Sequence, residues 1–270
     1  MTGSELQAAL RGGETVIGTL IVSTSPFWPK IIKDCGLDFV FIDTEHIAID
    51  RERLSWMCRT YSALGLPPLV RITDQNPNQV TVALDDGAAG VIAPYVETPE
   101  AALALRGATK LRPLKGERLD ETLSGRALSP TLGDYIGANA GSNILILNTE
   151  SVPAIDALDE ILDVGGVDAV LIGPHDLTTS LGIPEQYDHP DFLRAAETIF
   201  KKARERGVGA GIHAWFSMEE QARFVEMGAN LLIHKADVIF FRQGMMKEMG
   251  ELRERLNLKS RDSSEDGVTI

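Results

Sequence analysis

The chain has 270 residues, of which 44% are hydrophobic and 24% are charged, a composition typical of globular proteins with one sizeable core. Its formal net charge of −13 disfavours nucleic acids and anionic membranes as partners, because nothing neutralises their phosphates. The two cysteines, Cys35 and Cys58, provide neither a disulfide framework nor a metal-binding spacing. No stretch approaches about 18 apolar residues, and the amino terminus lacks a signal-peptide pattern. We therefore expect a cytoplasmic protein.

Eight apolar runs predict the strands of a parallel sheet, and a helical pattern follows each run. The predicted strands are Thr15–Val22, a run that starts at Phe39, Pro68–Ile72, Gly90–Val96, Asn143–Asn148, Asp168–Ile172, Gly209–Ala214 and Asn230–His234. The predicted helices are Ser4–Arg11, Trp28–Cys35, Arg51–Leu64, Pro77–Asp85, one with Pro99 at its first position, Val152–Leu162, Phe192–Arg206, Ser217–Met227 and Asp237–Arg255.

The region between the fourth helical pattern and the fifth strand is less regular. Elsewhere the helix starts are marked by local residues, for example by Ser217 and Glu220, whose spacing predicts a capping box. Residues 111–142 instead are rich in glycine and charge. A loop of this length within a compact domain is usually functional, so we predict a long loop that contributes to specificity.

The alternation of eight strands and helices predicts a closed (β/α)8 TIM barrel, an α/β fold. We expect one barrel domain over residues 1–258, followed by a polar, disordered tail over residues 259–270. An open, doubly wound sheet is the alternative. Such a sheet usually carries a glycine-rich loop after its first strand, and Val22–Ser25 contains no glycine.

Polar residues follow several of the predicted strands. The second strand ends in Asp43, Glu45 and His46, and the third ends in Arg71. The fifth and sixth are followed by Glu150 and by the turn Gly173-Pro174-His175-Asp176. The carboxyl ends of barrel strands form one rim, where barrel enzymes carry their active sites. Each residue alone has an ordinary explanation, such as a helix cap or a surface ion pair. Their recurrence at strand ends predicts a functional site.

The residue types at this rim indicate enolate chemistry. Glu150 and Asp176 suit a hard divalent cation such as Mg²⁺, which leaves positions for water and substrate. Arg71 carries a permanent charge that can brace a developing oxyanion. His46 can transfer a proton, with a carboxylate such as Asp85 to orient its ring. The set indicates enolisation of a 2-oxo acid, followed by cleavage or formation of a carbon–carbon bond.

These residues lie in motifs that resemble the HpcH/HpaI aldolase family, the metal-dependent class II pyruvate aldolases. The resemblance runs from about Gly13 to Met245 and rests on FIDTEH, LVRI, LDDGAAGVIAPYVET, NTES and IGPHDLTTSLG. It implies a lyase that joins or separates a pyruvate enolate and an aldehyde, with a 4-hydroxy-2-oxo acid as the substrate. It also implies a homo-oligomer built from dimers, up to a hexamer, in which the last helix is exchanged between subunits.

The same resemblance implies roles for single residues. His46, Asp85 and Arg71 are expected to be catalytic, with Asp43 and Glu45 supporting them. Glu150 and Asp176 are expected to hold Mg²⁺ or Mn²⁺, with Co²⁺ and Zn²⁺ as alternatives. Arg71 and the turn Gly173-Pro174-His175 are expected to contact substrate. His213, which stands where the family has an apolar residue near the substrate, is a further candidate contact of our own.

The sequence departs from the family pattern at several of these motifs. Asn148 replaces the usual glutamine, His175 occupies a position that is usually small, and His213 occupies one that is usually apolar. His234 and Lys235 lie where small or apolar residues are expected. We interpret the added polarity as a preference for a more polar or anionic aldehyde, or as a changed reaction.

Other readings of the same residues remain open. Lys235 is the candidate nucleophile of a Schiff-base lyase. The rim equally suits related enolate chemistry on another substrate, as in an acyl-CoA lyase or in oxaloacetate decarboxylation with carbon–carbon bond formation. A binding protein without catalysis is the reading from a different class.

Overall fold

The computed structural model describes residues 1–259, and its eight strands form a closed barrel in which neighbours follow chain order and β8 pairs with β1. Every pair of neighbouring strands is parallel, which confirms the predicted (β/α)8 barrel. The strands are β1 (Val16–Leu20), β2 (Phe39–Asp43), β3 (Pro68–Arg71), β4 (Gly90–Ala93), β5 (Ile144–Asn148), β6 (Ala169–Ile172), β7 (Gly209–Ala214) and β8 (Leu231–Ala236).

Helices separate successive strands, and α1 precedes the first. They are α1 (Gly3–Gly12), α2 (Trp28–Ile32), α3 (Arg51–Ala63), α4 (Pro77–Asp85), α5 (Pro99–Lys110), α6 (Gly116–Leu123), α7 (Pro130–Ala140), α8 (Val152–Asp156), α9 (Leu158–Asp163), α10 (Pro174–Ser180), α11 (Pro190–Glu205), α12 (Met218–Glu226) and α13 (Asp237–Arg255). The capping box at Ser217 and Glu220 is present at the start of α12.

The prediction of a long loop over residues 111–142 is wrong. The segment contains the helices α6 and α7, which pack against α5. It connects the end of α5 to the start of β5, and the Gln7 side chain of α1 donates to the backbone at Gly141 and Asn143. These contacts lie at the amino-terminal rim of the barrel, so the segment does not border the strand-end site of its own chain.

The buried side chains form two layers, one inside the barrel and one between the sheet and the helices. The inner layer contains Phe39 and Phe41 of β2 and Leu231 and Ile233 of β8. α1 contributes Leu6 and Leu10 to the same layer and thereby closes the amino-terminal end. A barrel filled in this way is a packed core, so a substrate reaches only its carboxyl rim.

The last described helix, α13, is largely exposed. Asp237 is the single buried residue of α13, and it accepts backbone hydrogen bonds from Val22 and Ser23 at 3.0 Å each.

No helix within residues 1–259 is long and apolar enough to cross a membrane. The predicted polar tail lies, from residue 260 onward, outside the described residues.

Candidate active site at the carboxyl rim

The side chains at the ends of β2 and β3 form a buried ion pair. The sheet register aligns Asp43 with Arg71. Arg71 Nε donates to Asp43 Oδ1 at 2.9 Å and Nη2 donates to Oδ2 at 2.6 Å, a geometry that fixes the guanidinium plane. Burial opposes the charge on Asp43, but the hydrogen bonds and charge of Arg71 outweigh it and lower the pKa of that carboxyl.

This pairing leaves one edge of the Arg71 guanidinium available. Nη1 has no hydrogen-bond partner within residues 1–259, while Cζ lies 5.6 Å from the centre of the Phe41 ring. Glu45 Oε2 lies 3.2 Å from Arg71 Nε and 3.6 Å from His46 Nε2. The His46 side chain is 56% exposed, so it stands at the mouth of the barrel beside a carboxylate.

Glu150 is held from two sides, just after β5. Its Oε1 accepts from the backbone N–H of Tyr95 at 2.9 Å, and its Oε2 accepts from Asn148 Nδ2 at 2.9 Å. A Cβ atom at Gly173 would collide with Oε2 of Glu150, so glycine leaves room for the carboxylate. The sequence Asn148-x-Glu150 and the glycine after β6 together fix this acid in the barrel mouth.

The Glu150 carboxyl has an unusual proton affinity. Burial raises its pKa to about 7, and the nearby charge of Asp176 adds to this rise. The Tyr95 N–H and the Arg71 charge oppose it. Burial also raises the pKa of Glu45, against the opposing charges of Arg71 and His46. Several acids therefore crowd around one arginine at this rim, and a cation bound among them would relieve their repulsion.

The donor set at Glu150 and Asp176 suits a divalent cation held by few protein ligands. Within residues 1–259, no three His, Cys, Asp or Glu side chains are grouped as a complete metal site. Two carboxylates fit an ion such as Mg²⁺, which usually keeps several waters and binds substrate oxygens. Asn148 Oδ1 is buried beside Glu150 and has no hydrogen-bond partner among residues 1–259, so it can accept a bond from such a water.

The sequence model of the HpcH/HpaI aldolase/citrate lyase family matches residues 18–239 of the chain. The chain belongs to this family. Among relatives, it is 31% identical over 244 residues to a 2-keto-3-deoxy-L-rhamnonate aldolase of Shigella boydii serotype 4 (strain Sb227), covering 88% of this chain and 91% of the relative. The protein of the same name from Escherichia coli (strain K12) is 32% identical over the same shares.

Solved structures show the same barrel. A family protein from Burkholderia cenocepacia J2315 is 27% identical with a TM-score of 0.80, covering 93% of this chain and 99% of that one. The citrate synthase SbnG is also 27% identical, with a TM-score of 0.79 over 93% of this chain and 98% of its own. The predicted enzyme class, a carbon–carbon lyase of the aldolase type, is thus confirmed.

One residue that the family resemblance made catalytic lies elsewhere in this chain. Asp85 is the last residue of α4, which leads into the amino end of β4. Its carboxylate pairs with Arg112, and its backbone oxygen accepts from Arg59. Within one chain Asp85 lies away from His46, because Asp85 precedes a strand, whereas His46 follows one. The expected role of Asp85 beside His46 stays a prediction, which only a contact between subunits could fulfil. Glu45 is the carboxylate beside His46.

Three of the remaining polar residues at the rim have partners outside the cluster around Arg71. The exposed His175 side chain lies 3.8 Å from Glu185. His234 Nδ1 lies 3.2 Å from the Gln221 amide of α12. Lys235 Nζ donates to Gln243 of α13 at 3.3 Å, and no described contact joins it to Arg71. The sequence pattern could not separate these residues from His213, which lies inside the barrel.

Two contributors to the family site were missed by the sequence reasoning. Asn148 was noted only as a departure from the family pattern, and Tyr95 was not considered. Tyr95 has a φ of 53°, in the left-handed region that few non-glycine residues adopt, and this turn aims its N–H at Glu150. The position of Tyr95 directly after β4, on the same rim, was the available signal.

Proposed function

We propose that the protein is a divalent-metal-dependent aldolase that cleaves or forms a 4-hydroxy-2-oxo acid. The supporting observation is that the Glu150 carboxylate and the free Nη1 edge of Arg71 meet at one rim. The relatives named 2-keto-3-deoxy-L-rhamnonate aldolase support the same substrate class, because a 2-keto-3-deoxy sugar acid has its hydroxyl on the fourth carbon. The two products would be pyruvate and an aldehyde.

Glu150 and Asp176 would hold the cation, Mg²⁺ or Mn²⁺, with Co²⁺ and Zn²⁺ as alternatives. Such an ion supplies Lewis-acid polarisation of the 2-oxo group. Arg71 would contact the same oxygen through Nη1 and stabilise the negative charge that develops on it. The two-point bond to Asp43 keeps the guanidinium in place during this step. The backbone around Gly173, Pro174 and His175 would contact the substrate carboxylate.

His46 would move the proton. In the cleavage direction it takes the proton of the 4-hydroxyl while the C3–C4 bond breaks, the aldehyde forms and the electron pair passes to the pyruvate enolate. Protonation of the enolate at C3 then gives pyruvate. Glu45, 3.6 Å from His46 Nε2, would orient the imidazole and stabilise its charged form, and Asp43 supports both through Arg71.

The protein would act as a homo-oligomer built from dimers. The support is α13, whose exposed side chains include Phe241, Met245, Met249 and Leu252. A row of large apolar residues on one helix marks an interaction surface. A second copy of the chain would cover this row, by exchange of α13 as the family resemblance implies.

The decisive experiment is exchange of the pyruvate methyl protons with D₂O, followed by NMR, because it requires no knowledge of the aldehyde. We expect exchange in protein supplied with Mg²⁺ or Mn²⁺ and its loss after chelation. Arg71→Ala and Glu150→Gln should each reduce the rate by about a hundredfold or more, as for loss of a charge-stabilising contact. Asp163→Asn is the control, since this exposed carboxylate pairs with Arg206 at the amino-terminal rim, and it should keep the wild-type rate.

Two results would contradict this proposal. Exchange that survives chelation but stops after borohydride treatment, and is absent in Lys235→Arg, would indicate the Schiff-base reaction. Absence of exchange under every condition would exclude pyruvate as the nucleophile.

The second candidate is carbon–carbon bond formation on a larger 2-oxo acid. It is favoured by the likeness to the citrate synthase SbnG at 27% identity over 93% of the chain. The same residues would serve, because an enolate is again the nucleophile. It predicts no pyruvate exchange but metal-dependent decarboxylation of oxaloacetate, measured as release of CO₂, and acyl-CoA cleavage is tested by release of free CoA.

A further inference from the structure

His213 occupies the floor of the barrel mouth. It lies on β7 in register with Ile233 of β8, a residue of the inner layer. Its ring meets the Phe41 ring edge-on, with 5.1 Å between ring centres and an interplanar angle of 74°. The Arg71 guanidinium lies against the same Phe41 ring, with Cζ 5.6 Å from the ring centre. His213 and Arg71 therefore share one aromatic support across the barrel.

The imidazole of His213 has an unused polar atom. Nε2 is buried and has no hydrogen-bond partner within residues 1–259, and its other ring neighbour is Trp215 at 5.5 Å. Burial lowers the pKa of His213 to about 3, with the Arg71 charge acting in the same direction and Asp43 against it. The ring is thus neutral at working pH, and the described chain leaves the hydrogen-bonding capacity of Nε2 unused. A buried polar group without a partner is costly.

The charge of the site indicates which part of a substrate would contact His213. Arg71 is the cation beside it, and its Nη1 has no hydrogen-bond partner in the described part of the chain. An oxygen of a 2-oxo acid would satisfy both groups at once, because an anionic or carbonyl oxygen accepts from the guanidinium and from a neutral N–H. The aldehyde portion would extend instead to the open mouth, where His46 and Trp215 are exposed.

We propose that His213 is a substrate-binding residue, which donates from Nε2 to an oxygen of the 2-oxo acid portion of the substrate, beside Arg71. This inference rests on the proposed aldolase function and adds to it a contact from β7. The histidine that replaces the usual apolar residue at position 213 would thus serve to bind the pyruvate half of the substrate. Binding of that half then requires the neutral form of the His213 ring.

The test is the dependence of the metal-supported exchange rate on pyruvate concentration in three variants. Gln places an amide nitrogen where the imidazole has Nε2, whereas Asn places one near Nδ1, and Leu has neither. His213→Leu and His213→Asn should raise the pyruvate concentration at half-maximal rate by about tenfold or more, as for a hydrogen bond to a charged group. His213→Gln should recover most of the wild-type value. Equal values in all four proteins would overturn the proposal.

A second measurement uses the wild-type protein and does not require turnover. In ¹⁵N-histidine-labelled protein, the His213 ring should report a neutral Nε2–H form between about pH 5 and 8, and saturation with pyruvate should shift Nε2 more than Nδ1. Pyruvate binding seen at other residues without a shift at His213 would refute the contact. A shift that appears only when an aldehyde is added would equally refute it. If pyruvate did not bind at all, the proposed aldolase function would be refuted together with the His213 contact. The two results above refute the contact alone, so the two failures are distinguishable.

Discussion

Glu150 makes the stability of the metal-free protein depend on pH. Its folded pKa of about 7 lies above the ordinary value of 4.5, so between these values the folded state binds more protons than the unfolded state. The free energy of unfolding therefore falls as pH rises through this range. The loss is complete above pH 7 and amounts to up to about 3 kcal/mol for a shift of this size.

Replacing the acid by its amide removes this penalty. Metal-free Glu150→Gln should melt a few degrees above metal-free wild type at pH 8, and the difference should vanish near pH 5. The Asn148 amide can rotate to present Oδ1 to the new Gln nitrogen. Thermal melts at both pH values check this, and added Mg²⁺ should raise the melting temperature of wild type alone. A wild type that is the more stable of the two at pH 8 without metal would contradict the assigned charge.

The sequence indicated at which strand end each candidate residue lies, but not the contacts that the residue makes. Asp43, Arg71 and Glu150 were predictable because a strand end in a barrel fixes the rim on which a side chain lies. His213 and His234 could not be told apart, since the sequence does not state which strand face points inward. The distance of Asp85 from His46 within one chain was not predicted, because the role of Asp85 came from resemblance and its position at the end of a helix was not weighed.

At the scale of elements, α6 shows why part of the chain escaped prediction. It has only eight residues and none of them is buried, and its leucines Leu119 and Leu123 lie next to Gly107 of α5. A helix of about two turns gives too short a pattern to stand out, so the glycines and charges around it were read as a loop. The strands were found because each is buried on both sides and appears as a continuous apolar run.

The helix α13 carries large apolar side chains that the described part of its own chain leaves exposed. Phe241 is 58% exposed, and Met245 and Met249 are each 49% exposed. These residues recur at four-residue spacing and therefore lie on one stripe. We expect Met245→Glu to weaken the assembly, because a buried unpaired charge at an interface costs several kcal/mol.

Light scattering after gel filtration measures this effect. Wild type should elute at a multiple of the 29.3 kDa chain, and Met245→Glu should shift toward one chain. Lys247→Gln changes the charge by the same amount two positions away, on the opposite side of the helix, and should leave the assembly intact. A wild type that is itself a single chain would refute the assigned surface.

At the scale of the whole molecule, the two ends of the barrel differ in how their buried acids are paired. The carboxyl rim crowds acids around Arg71, whereas the amino-terminal rim holds a buried acid that is fully paired. Asp168 is completely buried and accepts from Arg11 Nε at 2.7 Å, from Lys110 Nζ at 2.5 Å and from the backbone of Leu145 at 2.8 Å. These bonds tie α1, α5 and β5 to the start of β6.

Asp168→Ala should therefore reduce stability without altering the chemistry. The substitution leaves the largely buried Lys110 without its counter-ion, and removal of one partner of a buried pair costs about 3–5 kcal/mol. Asp163→Ala is the matched control, since Asp163 is 69% exposed and pairs with Arg206 at the same rim; its loss should cost under about 1 kcal/mol. Denaturant unfolding gives both values, and pyruvate exchange per folded chain should be unchanged in each. Equal losses of stability would show that the two ion pairs do not differ, and a selective loss of exchange in Asp168→Ala would show that the two rims are coupled.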